Sequence, residues 1–204
     1  MGPMPVLVLV NGPPASGKST IAARLVAVRP LALDLDIDVV RGLLGAWLDD
    51  PTTAGRAARA LALSMAQTHL SAGHDVVVPQ FLGRIEFITE LESVAAQTGA
   101  RFVEIGLVVD RQTASVAFHA RRAAPETSAR ADAAALVERS TSGAPVGEMY
   151  HSYVELVNRR PHAHRIVVIR GDIDGARSQP SSRSSLDAIP TAAGPPQLWD
   201  TPSS

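Results

Sequence analysis

Hydrophobic positions fall along the chain in two alternating textures. Residues 6–10 form an unbroken apolar run rich in β-branched side chains, closed by Asn11-Gly12-Pro13-Pro14. A run with no polar face predicts a strand covered on both sides, as in the centre of a parallel sheet. Helical spacing follows over residues 19–28 and stops before Pro30, and residues 31–35 read as a second short strand. Helical spacing returns over 38–48 and 54–71, the latter closed by Gly73, and a third strand covers 75–78. A helix over 85–97, a strand over 102–109, helices over 113–123 and 148–159 and a strand over 166–169 complete the series. Five strands separated by helices predict an α/β fold: a doubly wound, three-layer parallel sheet with helices on both faces.

Two stretches break this rhythm. Between residues 124 and 147 small, polar and charged residues mix without clear periodicity, which suits a lid, placed at about 121–147, more than a core element. Residues 176–204 contain seven Ser and five Pro and almost no periodic apolar pattern, so they are expected to form a disordered tail after a domain spanning 1–175. No internal repeat is visible.

Composition narrows the function classes. With 19 Lys+Arg against 20 Asp+Glu in 204 residues, the formal charge of −1 gives no general pull on nucleic acid or acidic lipid, and counts against a nucleic-acid partner without excluding a local patch. The absence of cysteine removes disulfides, thiolate nucleophiles and Cys-ligated metal centres. The 6–10 run is too short to cross a bilayer and no basic residue precedes it, so a cytoplasmic protein is expected. Lys18 is the only lysine; every other basic residue is arginine. A position that alone uses a slim point charge on a flexible stem calls for a reason.

That reason is the motif around it. Gly12-Pro13-Pro14-Ala15-Ser16-Gly17-Lys18-Ser19 fits G-x-x-x-x-G-K-[ST] between a buried strand and a helix start. A triphosphate must be held by several backbone N–H groups at once; glycine allows close approach, and the helix N-terminus adds its dipole. ATP is the expected ligand, with Gly12, Ala15, Ser16, Gly17, Lys18, Ser19 and Thr20 as its cradle. Lys18 would reach the β- and γ-phosphates and the Ser19 hydroxyl would ligate Mg²⁺. The plain alternative is a Gly/Pro turn that contains a lysine, but the motif arises by chance in only roughly one chain of this length in a hundred.

The segment after the P-loop decides which kind of nucleotide enzyme is expected. A guanine-specifying Asn-Lys-x-Asp cannot exist with Lys18 as the sole lysine. Residues 33–41 read Leu-Asp-Leu-Asp-Ile-Asp-Val-Val-Arg. If they stay extended, Leu33, Leu35 and Ile37 share one face and Asp34, Asp36 and Asp38 the other, at the sheet edge where open α/β sheets bind ligands. The alternative is a solvated loop with Asp38 as N-cap of the next helix. The P-loop followed by Asp-x-x-Arg, here Asp38 and Arg41, resembles the small P-loop kinases that phosphorylate hydroxyl groups: 5′-hydroxyl polynucleotide kinases, zeta toxins and chloramphenicol phosphotransferase. The resemblance covers roughly residues 6–175, and only the P-loop in it is highly specific. It implies that Asp38 is the general base, that Arg41 contacts the acceptor, and that Arg121 or Arg122 is a lid arginine on the phosphates. Paired arginines at a helix end are otherwise a solvated face.

One departure stands out. Many relatives carry an Asp near the end of the third strand, whereas this chain reads Val76-Val77-Val78-Pro79-Gln80-Phe81. Asp36, or less favourably Asp110, would then hold Mg²⁺ waters. Gln80, Phe81 and Trp47 are read as packing residues that would otherwise shape an acceptor pocket. His162 and His164, without a third ligand, are read as surface residues, and Gly171-Asp172 resembles an adenine-contacting loop. The expected function is an ATP- and Mg²⁺-dependent phosphotransferase acting on a hydroxyl of a small-molecule or nucleotide-like acceptor. A regulatory NTPase module and a nucleic-acid 5′-hydroxyl kinase are the alternatives; the acceptor and the oligomeric state are left open.

Overall fold

β1 (Val6–Asn11) is buried over its whole length, as its lack of a polar face requires. It is the third strand of a five-stranded sheet of order β2-β3-β1-β4-β5, in which every pair is parallel. The other strands are β2 (Leu33–Asp34), β3 (Val76–Gln80), β4 (Arg101–Val109) and β5 (His164–Val168). The computed structural model describes residues 4–14, 16–109, 146–161 and 163–168. The expected helix over 113–123, the tail over 176–204, most of the expected lid, and Ala15, Asp110, Arg121, Arg122, His162 and Gly171-Asp172 lie outside the described residues. The last two residues of the expected lid, Val146 and Gly147, belong to the helix that leads into β5.

Among the described residues the helices are α1 (Lys18–Ala27), α2 (Ile37–Gly42), α3 (Pro51–Ser71), α4 (Glu86–Gln97) and α5 (Val146–Asn158). Period 2 sends Leu7 and Leu9 of β1 to one face, with Val76 and Val78 beside them on β3. There they join the main core with a small-residue stripe on α3 (Ala58, Ala62, Ala66) and with Phe87, Ile88 and Leu91 of α4. Alanine at four-residue spacing lets α3 approach closely while burying little side chain. Val6, Val8 and Val10 point to the opposite face, where α1, which packs against β1, β2 and β3, buries Ile21, Ala22 and Leu25.

Three sequence expectations need correction. β2 covers only Leu33–Asp34, and the extended backbone ends at Asp36, whose carboxylate accepts the Asp38 N–H at 2.9 Å and starts α2 at Ile37. The helix expected over 38–48 stops at Gly42; the apolar spacing continues, but Ala46 adopts a left-handed φ of 50° that no helix accommodates. The next helix starts three residues earlier than its apolar pattern, at Pro51, with Asp50 accepting the Thr53 N–H at 3.1 Å. Pro79 is tolerated inside β3 because Val77 faces β2, taking the Leu35 N–H at 2.8 Å, and Pro79 faces the same way after β2 has ended.

Candidate active site

All strands being parallel, their carboxyl ends share one edge, and β1 sits where the chain order reverses between β3 and β4. That switch point is where open α/β sheets form a ligand crevice. The loop leaving β1 there is the glycine-rich segment of residues 12–19. Its origin is fixed from two sides. The Asn11 side-chain amide donates to the Leu82 carbonyl at 3.1 Å and accepts the Leu82 N–H at 2.9 Å. The Tyr153 hydroxyl of α5 lies 3.1 Å from the Asn11 carbonyl and 2.9 Å from that of Leu107, a single donor shared between two acceptors. Tyr150, one turn earlier, donates to the Val109 carbonyl. Residues far apart in sequence thus hold the loop's root against β3, β4 and α5.

The loop has the shape and chemistry of a phosphate cradle. An alanine Cβ at Gly12 would meet Ser16 Oγ at 2.6 Å and Leu107 Cβ at 2.9 Å, so only glycine fits there. Gly17 precedes α1 at φ 91°, a left-handed conformation that side chains disfavour, and provides no side-chain cap for that helix. An N-terminus without a side-chain cap presents N–H groups and the positive dipole end to an anion. The Ser16 hydroxyl is buried without a hydrogen-bond partner among the described residues. Lys18 curls over the loop, its ammonium 2.8 Å from the Pro13 carbonyl. These features fit a nucleotide phosphate. Ser19, half-buried in the first turn of α1, offers a hard oxygen of the kind Mg²⁺ takes.

β2 and α2 bring carboxylates to the same edge. Asp36 is the N-cap of α2, the role expected of Asp38, and Asp38 lies in the first turn. One Asp36 oxygen is thereby engaged in capping. Asp38 Oδ1 pairs with Arg41 Nη2 at 3.0 Å, three residues on. Burial pushes the Asp38 carboxyl above the ordinary carboxylate range; Arg41 pulls it down, Asp36 adds an upward push, and Lys18 pulls down. Lys18 and Asp38 therefore feel each other across the crevice. Burial and the neighbouring Asp36 also raise Asp34. The structure brings together Gly12, Ser16, Gly17, Lys18 and Ser19 on one side and Asp36, Asp38 and Arg41 on the other, while Thr20 is exposed on α1.

β3 ends on Gln80, in register with Asn11, so its tip carries an amide where a carboxylate was missed. Phe81 packs on Tyr153, ring centroids 5.7 Å apart. The Trp47 ring lies under the Arg41 guanidinium, 4.8 Å from its centroid. His164 is exposed, and among the described residues no cluster of three or more His, Cys, Asp or Glu forms a metal site. Sequence reasoning missed Tyr153 and a buried carboxylate, Glu104, whose Oε2 accepts Arg160 Nε–H at 2.5 Å while Arg160 also pairs with Glu92. A lone glutamate inside the apolar run of residues 102–109 was the available signal for the second. For Tyr153 there was none.

No helix among the described residues is long and apolar enough to cross a membrane. No curated protein matches the chain. Among solved structures it is similar to the Mycobacterium tuberculosis APS kinase CysC in complex with AMPPNP and APS, with 22% identity and a TM-score of 0.57 over 86% of this chain and 95% of that one. It is also similar to a chain of the Pnkp1/Rnl/Hen1 RNA repair complex, with 11% identity and a TM-score of 0.58 over 84% of this chain and 51% of that one. At these identities the likeness is one of fold. Residues 7–141, which begin in β1 and include the whole glycine-rich loop and α2, match the AAA domain family AAA_33, and the chain belongs to that family.

Proposed function

We propose that the protein is an ATP- and Mg²⁺-dependent phosphotransferase that moves the γ-phosphoryl group to a hydroxyl of a small-molecule or nucleotide-like acceptor, within a domain spanning 1–175. The observation that carries this reading is the Asp38–Arg41 pair, 3.0 Å apart, at the carboxyl edge of the parallel sheet that also bears the glycine-rich loop and Lys18. A nucleotide switch needs the cradle and a carboxylate for its metal, but has no use for the Asp38–Arg41 pair beside them. The CysC chain, which shares this fold, was solved with AMPPNP and APS bound.

In this reading Gly12, Ala15, Ser16, Gly17, Lys18, Ser19 and Thr20 surround the phosphates, and Lys18 offsets charge on the β- and γ-phosphoryl oxygens. A bound Mg²⁺ would supply further charge neutralisation on the phosphates. Ser19 would hold it directly and Asp36, through its oxygen not used in capping, would hold its waters. Asp38 accepts the acceptor hydroxyl's proton as the new O–P bond forms and the bond to the ADP oxygen breaks. Arg41 orients the acceptor side, and Arg121 or Arg122 completes the charge neutralisation. The protein's contribution is position and charge, as phosphoryl transfer demands.

The test is a screen of hydroxylated metabolites, nucleosides and 5′-hydroxyl oligonucleotides with γ-labelled ATP, followed by Asp38→Asn on the acceptor found. Asparagine keeps the size but takes no proton, so Mg·ATP affinity should hold while transfer falls by about 10²–10⁴. Full transfer by Asp38→Asn would remove the base assignment and favour a regulatory NTPase.

A further inference from the structure

The turn between α2 and α3 spends conformational strain to place one aromatic ring. After α2 ends at Gly42, Leu44 N–H closes on the Arg41 carbonyl at 3.1 Å, Ala46 takes φ 50°, and Asp49 N–H returns to the Ala46 carbonyl at 3.0 Å. A non-glycine residue in the left-handed region persists where the surroundings over-determine it. Trp47 comes directly after Ala46, and the Arg41 guanidinium carbon lies over its ring, 4.8 Å from the centroid, inside the range of a cation–π contact.

Arg41 is otherwise lightly held. Its side chain is 14% exposed, its Nη2 pairs with Asp38, and its Nε is buried with no hydrogen-bond partner among the described residues. An i,i+3 ion pair on a six-residue helix contributes less than the rotamer entropy an arginine gives up. The pair alone therefore does not fix the guanidinium; the half-buried Trp47 ring beneath it adds the second hold. We propose that Trp47 is a positioning residue: its indole braces Arg41 against the Asp38 carboxylate and so aims that carboxylate at the crevice. With Oδ1 engaged by Arg41, Oδ2 is left to take the acceptor proton. The inference deepens the reading of Asp38 as base and rests on it for its functional meaning. The charged groups facing Asp38 are Arg41 and Asp36 from its own segment and Lys18 from α1, and only Arg41 among them is described in contact with Trp47.

The brace is measurable without an acceptor. In the isotope-labelled full chain, the Arg41 Nε–H is followed by NMR, its resonance identified by its loss in Arg41→Lys. It should be ring-shifted in the parent protein and should lose that shift in Trp47→Leu, where the freed guanidinium also exchanges its Nε–H with water several-fold faster. Trp47→Phe keeps a weaker ring face and should give a smaller shift and an intermediate exchange rate, which decides the matter even if Trp47→Leu does not fold. An Arg41 Nε–H with no ring shift in the parent, or with exchange unchanged in both variants, overturns the brace. The readout is the Arg41 guanidinium rather than turnover, so full transfer by Asp38→Asn would remove the base assignment while leaving the brace to stand or fall on its own.

Discussion

Gly12→Ala isolates the close packing beneath the cradle. The added Cβ would stand 2.6 Å from Ser16 Oγ and 2.9 Å from Leu107 Cβ. The first contact is soft, since Ser16 Oγ has no hydrogen bond to lose by turning away. The second is hard, since Leu107 Cβ is rooted in β4 and fully buried. β1 cannot recede either, with Asn11 tied to Leu82 through its amide and to Tyr153 through its carbonyl. The loop itself must move, by roughly half an ångström, at a cost of about 1–3 kcal/mol for overpacking. Carried into the bound state, strain of that size weakens phosphate binding by roughly 10–100-fold, tenfold for each 1.4 kcal/mol. Calorimetric titration with Mg·AMPPNP reads the affinity, and thermal unfolding reads the stability. Adding Ser16→Ala relieves only the soft contact and should recover little of either. Parental affinity in Gly12→Ala, or complete recovery in the double variant, would refute the account of Leu107 as the fixed wall.

Two further predictions concern charge. Arg160→Met leaves Glu104, whose side chain is 3% exposed, without its counter-charge, and should cost about 3–5 kcal/mol at neutral pH. Burial already pushes the Glu104 carboxyl up despite Arg160, and the variant pushes it further. The folded protein then binds more protons than the unfolded chain between the ordinary and the raised value, so stability is regained as pH falls through the raised value and lost as it rises. Equal destabilisation at pH 5 and pH 8 would count against this. Lys18 carries the chain's only ε-amine, so an amine-acylating reagent should modify Lys18 and otherwise only an α-amino group, and Mg·ATP should slow the Lys18 reaction at least tenfold at saturation. Mass spectrometry reads both sites, and acylation unaffected by nucleotide would contradict the placement of Lys18 on the phosphates.

The sequence by itself determined the features whose cause is local. An apolar run without a polar face dictated a doubly covered strand, and glycines spaced around a single lysine dictated the cradle after it, because backbone N–H groups, a left-handed turn and a helix start succeed one another within eight residues. The alternation of strand and helix was legible for the same reason, since each period is set by neighbours a few positions away. What only the tertiary structure decided is which distant groups meet. Asn11 meets Leu82 and Tyr153 at the root of the loop, and Glu104 in mid-β4 meets Arg160, because the strand order β2-β3-β1-β4-β5 sets the segments that come after β3 and β4 beside β1 and β4. Periodicity names the face a residue occupies and leaves its partner across the sheet unspecified. The same limit appeared at short range: three aspartates in alternation suggested an extended edge, yet the Asp36 carboxylate found the Asp38 N–H and turned the chain into α2, because that bond caps an otherwise open helix N-terminus, while a longer strand would have run beside Pro79, which has no N–H to give it.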